Sequence, residues 1–374
     1  MDKLLALLLI CNVCCLQNLF SGIVGYRKVE KANPKVVAHI LDFDPSEFTP
    51  KLVLGGNCSI GIETVASMVK RSNAIAGFNG GFYKTGLDLG SSIGFLLVDK
   101  TPVSNGENAR GAIGWNKNSK KTQIDQLVTK IQLYIGNANI ILSGFNQELK
   151  TKGINLYNHF YSRTTLTPPG TKEYLLTPDK KIRYLGDQGN NDIPRGCYVL
   201  SIEKSLPALL NAQLNVNHSI SCTVYPQLES EYRPVWNNFD YIIQAGPLLL
   251  KNFKECVGIN NEKIPSELGK DLQKARTSIG LKNDGRWIVA VIEATATSQT
   301  KGLTLKELAN FMKTLGCKDA VNLDGGGSST IVYEGKKYFS PSTVIHPFEH
   351  KNVIYMPVEG DRPVGNGIVI TKKG

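Results

Sequence analysis

The chain has 374 residues, of which 41% are hydrophobic and 20% are charged. That apolar fraction excludes disorder over the whole length, because it can bury a sizeable core. Lys and Arg number 43 against 32 Asp and Glu, and the resulting net charge of +11 favours anionic partners, such as phosphate esters, acidic glycans, nucleic acids or membrane surfaces.

The N-terminus has the layout of a secretory signal peptide. Lys3 precedes an apolar run from Leu4 to Cys15, and small residues follow before position 26. Gln17 interrupts the run before it reaches the ~20 residues that a membrane helix needs. We therefore predict a cleaved signal peptide over residues 1–25, a secreted or periplasmic location and no stable membrane insertion after cleavage. An uncleaved anchor and a buried N-terminal helix are the alternatives.

Short strand-like runs alternate with turns through the first two thirds of the chain. Apolar and β-branched runs begin at Val36, and residues 62–71 have helical spacing that ends in basic residues. From about 94 to 241, apolar runs between Gly, Asn and Pro clusters predict strands of a mixed sheet. Residues 205–214 predict a short helix.

The last third contains the clearest local signals. An Asn-Asp-Gly turn at 283–285, between two apolar runs, predicts a hairpin. A helix is predicted after Thr304, which is a candidate N-cap with Glu307 three residues later and Gly316 as the C-terminal stop.

Strands and helices interleave irregularly, and hairpins are common. This pattern predicts an α+β fold, with a single large mixed-sheet domain, helices packed on it and a site cleft at strand ends. Residues 26–71 are either an N-terminal appendage or the first strands of the same sheet.

The most informative motif is VNLDGGGSST at residues 321–330. An apolar strand ends in a carboxylate, and three glycines then permit a backbone course that a Cβ would block. Exposed N–H groups in such a turn form an anion-binding nest, and two hydroxyls add donors. A carboxylate beside many donors indicates a reaction centre for a phosphate or an oxyanion, whereas the simpler alternative is a glycine-rich hairpin without chemistry. The candidate site residues of this motif are Asp324, Gly325, Gly326, Gly327, Ser328 and Ser329.

Three amide side chains, and Gly80 beside the first of them, are further candidates for substrate binding. Asn79 precedes Gly80 in FNGGFY, and its side chain can both donate to and accept from a sugar or a phosphate oxygen. Gln244 ends an apolar run before Ala-Gly-Pro, and Asn366 lies in RPVGNG. Each is a candidate substrate-binding residue, although Asn-Gly-Gly is also an ordinary turn sequence.

Two charged residues complete the candidate site. Arg276 begins a strand-like run in ARTSIG, and its guanidinium matches the geometry of a phosphate, although a surface arginine is the simpler reading. Glu293 ends the apolar run WIVAVIEA. A carboxylate there is costly to bury, so we expect either a partner or a catalytic function for it.

No motif predicts a bound metal. The five histidines lack ligand spacing, and the cysteines after the signal peptide contain no CxxC pair. We predict no cofactor, with Ca²⁺ held by carboxylates and carbonyls left open. One or two disulfides or buried free cysteines are equally compatible with five widely spaced cysteines.

Taken in chain order, these motifs resemble the phosphodiester glycosidase family. The matching pieces are FNGGFY, ARTSIG, TKGLTLKELANFMKTLGCKDA running into VNLDGGGSST, and RPVGNGIVI, and the similarity covers roughly residues 72–370. The resemblance implies a catalytic domain over residues 72–374 and carries over Asp324, Arg276, Asn79 and Asn366 as site residues. The chain departs from the family pattern in IEATATSQTKGLTL, at a place where many members have an Asp- or Gly-containing stretch and where Glu293 is the candidate replacement for that acid, and in QAGP, which is less glycine-rich than the family form.

The resemblance also implies a reaction: hydrolysis of a sugar-1-phosphodiester, such as an N-acetylglucosamine-1-phosphodiester, at the anomeric carbon. Arg276 would clamp the phosphate, Asp324 would act as a base for water or as a nucleophile, and Glu293 would be a second carboxylate. The competing hypothesis is a secreted, non-catalytic binder of an anionic glycan. Nucleic-acid binding is not expected, because no interleaved aromatic and basic motif is present.

Overall fold

The structure is a computed structural model. It describes residues 24–32, 35–86, 88–106, 108–117, 121–129, 131–135, 138–206, 225–226, 236–257, 262, 271–294, 300–341, 348–350, 353–355 and 361–373. The signal peptide predicted over residues 1–25 and the helix predicted over 205–214 lie almost entirely outside these ranges. No helix in the described ranges has the length and apolarity to cross a bilayer.

A seven-stranded sheet, the main sheet, organises the molecule. All its neighbouring strands are antiparallel. In spatial order the strands are β1 (Gly25–Lys31), β2 (Val36–Phe43), β21 (Trp287–Ile292), β20 (Arg276–Lys282), β22 (Cys317–Asn322), β18 (Leu248–Lys251) and β19 (Lys254–Glu255). Strands from both ends of the chain therefore build one sheet.

Two five-stranded sheets pack on one face of the main sheet. The second sheet contains β24 (Lys336–Phe339), β23 (Ile331–Tyr333), β4 (Ala76–Asn79), β27 (Asn366–Lys372) and β3 (Phe48–Leu54). The third sheet contains β6 (Thr101–Ser104), β5 (Leu96–Val98), β17 (Tyr241–Gln244), β7 (Arg110–Trp115) and β8 (Thr122–Leu127).

The remaining strands form smaller sheets. The fourth sheet contains β11 (Gly144–Phe145), β12 (Ile154–Asn158), β15 (Tyr198–Ile202), β13 (Lys172–Leu176) and β14 (Ile182–Gly186), and it has its own apolar core. A three-stranded sheet contains β10 (Ala138–Ile140), β9 (Ile131–Ile135) and β16 (Tyr225–Pro226), and a ribbon contains β25 (Phe348–His350) and β26 (Val353–Tyr355). Three short 3₁₀ turns cover Gly55–Asn57, Trp236–Asn238 and Gly326–Ser328.

The two faces of the main sheet bury different partners, because side chains alternate along each strand. Leu41, Val289 and Val321 belong to the core shared with the second and third sheets. Ala290 and Ala320, on the opposite face, pack against a helix. The face on which a residue lies therefore decides which groups it can meet.

The described residues contain two α-helices, α1 (Val65–Arg71) and α2 (Leu305–Thr314). The predicted ends of α2 are confirmed. The Thr304 hydroxyl accepts from the Glu307 N–H and the Glu307 side chain accepts from the Thr304 N–H, which forms a capping box. Gly316 follows the helix at φ +85°, a conformation that favours glycine at this position.

The hairpin predicted at 283–285 is also confirmed, since β20 and β21 pair directly across it. The expected fold class is confirmed only in part. The described structure is mostly strand, and several sheets rather than one large mixed sheet build it. Residues 26–71 contribute β1 and β2 to the main sheet and β3 to the second sheet.

Candidate functional site

A cleft of about 270 Å³ opens where several strands of the main sheet begin or end. β22 ends there, β20 and β18 begin there, and the N-terminal end of α2 lies beside them. The residues that line it are Phe82, Pro247, Lys274, Arg276, Leu305, Asn322, Asp324, Gly325, Gly326, Gly327 and Arg362.

Strand register brings Asp324 and Arg276 into this cleft together. Ser278 pairs with Asn322, and the Gly326 N–H donates to the Ala275 carbonyl at 2.7 Å, so the chain after β22 folds back along the start of β20. The approach is too close for a side chain, because a Cβ on Gly325 would lie 2.8 Å from the Ala275 carbonyl oxygen.

Asp324 is the one carboxylate among the described lining residues of the cleft. Burial raises its pKa to about 6, although hydrogen bonds from the Ser328 side chain and the Gly325 N–H and the positive charge of Arg362 oppose the shift. The Gly325 N–H lies 2.8 Å from Oδ1. At neutral pH the carboxylate is therefore mostly ionised, yet it can take up a proton in a mildly acidic medium.

Three cationic side chains face this carboxylate across the cleft. Arg276 is 4% exposed and donates to the carbonyl oxygens of Leu303 (3.0 Å, from Nε) and Leu272 (2.7 Å). Burial lowers the pKa of Arg276 to about 10, so it stays protonated at neutral pH. Together with Lys274 and Arg362, it gives the lining an excess of positive charge, which favours an anionic ligand.

The amides of the glycine motif are not arranged as the predicted anion nest. The N–H groups of Gly325, Gly326, Ser328 and Ser329 all donate within the protein, the first to Asp324 and the others to carbonyl oxygens. They hold the turn and the carboxylate in place. These four amides therefore donate to protein groups and not to an anion. Gly327 lines the cleft and stays a predicted donor to the anion, together with the cationic side chains.

The two serines of the motif are both buried. The Ser328 side chain hydrogen-bonds Asp324 and Tyr83. Ser329 is fully buried, and its hydroxyl has no hydrogen-bond partner among the described residues. Neither serine lines the cleft, so Ser328 can act on a substrate only through Asp324.

Asn79 does not line the cleft but bonds the backbone that carries Asp324. Its side chain is fully buried, with Oδ1 accepting from the Thr277 hydroxyl (2.8 Å) and the Thr330 N–H (3.1 Å). Its Nδ2 donates to the Asp324 carbonyl at 2.8 Å, and the Gly80 carbonyl accepts from the Asp324 N–H. Asn79 and Gly80 thus anchor the backbone of the turn that carries Asp324.

Gln244 and Asn366 also lie outside the cleft. Gln244 is 1% exposed and uses its amide on the Phe95 N–H and on the carbonyls of Asn108 and Leu127. Asn366 Oδ1 accepts from the Gly81 N–H at 2.8 Å. Gln244 thus uses its amide on protein groups, whereas the buried Nδ2 of Asn366 has no hydrogen-bond partner among the described residues. Because neither residue lines the cleft, the direct substrate contacts predicted for them are not seen.

Glu293 points away from the cleft. It follows Ile292, which pairs with Arg276 on the helix-facing side of the main sheet, so alternation directs Glu293 to the opposite face. There its carboxylate lies 2.7 Å from His39 Nε2, and His39 Nδ1 lies 2.9 Å from the Tyr26 hydroxyl. The expected partner exists, and the predicted role as second catalytic carboxylate is not supported.

Six of the residues that line the cleft were not predicted as site residues: the apolar Pro247 and Leu305 and four others. Phe82, Asn322 and Arg362 lie inside motifs that were quoted for other residues, and Lys274 precedes ARTSIG by one position. Proximity to those motifs was the available signal. A lone arginine or lysine carries no local sign of the cavity it enters.

The described residues contain no group of three or more His, Cys, Asp and Glu side chains placed to hold a metal ion. The absence of a metal requirement stays a prediction. Within the same ranges, Cys58, Cys197, Cys256 and Cys317 are all free.

Comparison with solved structures agrees with this fold. A hypothetical protein from Synechocystis matches with a TM-score of 0.70 at 18% identity, over 93% of this chain and 61% of that one. The catalytic domain of zebrafish N-acetylglucosamine-1-phosphodiester alpha-N-acetylglucosaminidase matches with a TM-score of 0.51 at 16% identity, over 94% of this chain and 83% of that one. At such identities the likeness concerns the fold alone.

Sequence relatives are of two kinds. An uncharacterized protein of Rickettsia conorii is 26% identical over 253 residues, 66% of this chain and 84% of the relative. The mouse N-acetylglucosamine-1-phosphodiester alpha-N-acetylglucosaminidase is 36% identical over 72 residues, 19% of this chain and 14% of that enzyme. The model of the phosphodiester glycosidase family matches residues 183–371, half of the chain, which include Arg276, Asp324 and Arg362. The chain belongs to the phosphodiester glycosidase family.

Proposed function

We propose that the protein hydrolyses a sugar-1-phosphodiester at the anomeric carbon and releases a free sugar and a phosphomonoester. The observation that carries the proposal is that Asp324 and the guanidinium of Arg276 line one open cleft. A phosphodiester needs a cationic site, and the anomeric carbon needs a carboxylate. An N-acetylglucosamine-1-phosphodiester is the first substrate to try.

The cationic residues would hold the phosphate. The Arg276 fork is held by the carbonyls of Leu303 and Leu272, so little side-chain entropy is lost when an anion binds. Lys274 and Arg362 add charge from the rim of the cleft. Groups fixed before the substrate arrives stabilise charge that develops on the leaving phosphate.

Asp324 would act on the sugar, either as a base for water or as a nucleophile. One carboxylate suffices in this scheme, because the leaving group is a phosphomonoester. It departs as a stable anion, whose second pKa is about 6, and needs less protonation than a sugar hydroxyl. The scheme therefore uses neither Glu293 nor a metal ion. We also propose that the protein acts outside the cytoplasm, where the predicted signal peptide would direct it.

The test is an assay of sugar release from a sugar-1-phosphodiester. We expect turnover by the wild-type protein, near-complete loss in Asp324→Asn and Arg276→Ala, and nearly normal turnover in Glu293→Gln, the matched control. Unchanged turnover in both cleft variants would refute the assignment. Saturable binding of the phosphodiester without any product would favour the glycan-binding alternative.

A further inference from the structure

Among the polar side chains that line the cleft in the described part of the chain, Asn322 is the one without a role in the proposed reaction. It is the last residue of β22, it is 3% exposed, and it lines the cleft two positions before Asp324. Its Nδ2 donates to the carbonyl oxygens of Gly246 (3.0 Å) and Leu323 (2.7 Å). Its Oδ1 is buried and has no hydrogen-bond partner in the described part of the chain.

The orientation of this amide follows from its neighbours. A flipped amide would place Oδ1 against two carbonyl oxygens, and all three atoms are acceptors. The NH₂ group must therefore face Gly246 and Leu323, which leaves Oδ1 as an acceptor. A buried acceptor without a donor raises the free energy of the empty site, so a ligand that supplies the donor is favoured over one that does not.

The chemistry of the missing donor separates the two halves of the substrate. A phosphodiester has only acceptor oxygens and would be repelled by Oδ1, whereas a sugar carries O–H groups and, if acetamido-substituted, an N–H group. Asn322 ends β22 and Arg276 begins the neighbouring strand β20, so the two side chains line the same cleft from different strands.

We infer that Asn322 Oδ1 accepts a hydrogen bond from one O–H or N–H group of the sugar, and that this bond makes Asn322 a specificity-determining residue. The inference rests on the proposed function. A site with a buried acceptor rejects analogues that lack the donor, because binding them leaves the acceptor unpaired. Arg276 then selects for the phosphate, and Asn322 selects among sugars.

The experiment uses phosphodiesters with one common alcohol and a sugar that is intact or lacks a single hydroxyl or acetamido group at one ring position. The kcat/KM of each is measured for the wild type and for Asn322→Ala. In the wild type we expect one deletion to lower kcat/KM by ~10- to 100-fold. In Asn322→Ala the same deletion should change kcat/KM by less than about threefold, while the other deletions keep their effects.

A purely structural role predicts a different result. The loss of the bonds to Gly246 and Leu323 would lower kcat/KM for all sugars alike and leave their ratios unchanged. Asn322→Asp keeps an acceptor in place of Oδ1 but loses the donor to Gly246 and Leu323, so its kcat/KM should fall for all sugars while the wild-type ratio between them is retained. Equal ratios in the wild type and in Asn322→Ala, or a wild type indifferent to every deletion, would overturn the inference alone. No turnover of any compound would overturn the proposed function and the inference together.

Discussion

Two strands of the main sheet, β21 and β22, run in the same direction and end on the same side of the sheet. Glu293 follows the first of them, and Asp324 lies two residues after the second. Asp324 lies in an open cleft beside Arg276, whereas Glu293 is bound to His39 on the other face. The two sequences look alike, since both place an acid after an apolar run. The comparison teaches that strand parity and register, rather than position at a strand end, decide which acid can meet a substrate.

The groups around the two acids also suit different roles. Around Asp324 are cations and a cavity, which suit a ligand. Around Glu293 are buried groups: burial lowers the pKa of His39 against the effect of Glu293, and the His39 ring stacks 5.9 Å from that of Phe339. Glu293 therefore completes a partly buried hydrogen-bonded chain with His39 and Tyr26, whereas Asp324 lies where a ligand can bind.

The largest difference should appear when each of the two acids is replaced by its amide. Asp324→Asn should reduce kcat by ~10²- to 10⁴-fold, because it removes the base or nucleophile while keeping the shape. Glu293→Gln should change kcat by less than about threefold. Steady-state kinetics with matched circular dichroism spectra would check both, and a larger loss in Glu293→Gln would reverse the comparison.

Arg276 should contribute nearly as much through the phosphate. Arg276→Lys keeps the charge but loses the fork, and we expect kcat/KM to fall by ~10²-fold. Phosphate and other inorganic anions should inhibit the wild type more strongly than this variant. Equal inhibition of both proteins would show that inorganic anions do not bind at Arg276.

The pH dependence should report Asp324. Because its pKa is about 6 in the folded protein, kcat/KM should decline as the pH falls through 6 if the ionised form reacts. The same shift has a stability consequence. The folded pKa lies above the unfolded value, so the folded state binds more protons between about pH 4 and 6, and the unfolding free energy decreases as pH rises through that window. Denaturant titrations of Asp324→Asn should lack this decrease.

Gly325 tests the close contact that joins the two motifs. Gly325→Ala should lower the unfolding free energy by ~1–3 kcal/mol and reduce turnover, because its Cβ would meet the Ala275 carbonyl. Gly86→Ala is the control, since a Cβ there has no heavy atom within 4 Å. Equal stability of the two variants would show that the turn can shift freely.

The smallest effect on turnover and a distinct effect on stability should come from Glu293→Ala. Without its acceptor, His39 is left buried with one partner fewer, at a cost of about 1–3 kcal/mol in unfolding free energy. Turnover should remain nearly normal under conditions where the variant is folded. Urea titration and kinetics on the same preparation would separate the two.

Local signals predicted local structure well. The capping box of α2 and the turn between β20 and β21 depend on neighbours within four residues, and both are confirmed. The proximity of Asp324 and Arg276 was predictable only from the order of the motifs, through the family resemblance. It depends on the pairing of β20 with β22, and local sequence does not specify that pairing.

What escaped prediction depends on long-range register. Asn79 was expected at the substrate, yet its side chain bonds Thr277, which approaches it only when the main and second sheets pack together, and Thr330, which precedes the neighbouring strand of its own sheet. Glu293 could not be placed on a face without knowing that Arg276 pairs with Ile292. Arg362 was missed although it lies in RPVGNG, because nothing in that sequence shows that its side chain, and not the Asn366 side chain, lines the cleft.

The most direct test of the central claim is hydrolysis of a sugar-1-phosphodiester in H₂¹⁸O, with mass spectrometry of both products. Attack at the anomeric carbon predicts that ¹⁸O enters the released sugar and that the phosphomonoester keeps only its original oxygens. Wild-type protein that places ¹⁸O in the phosphomonoester would contradict the account, because the reaction would then occur at phosphorus.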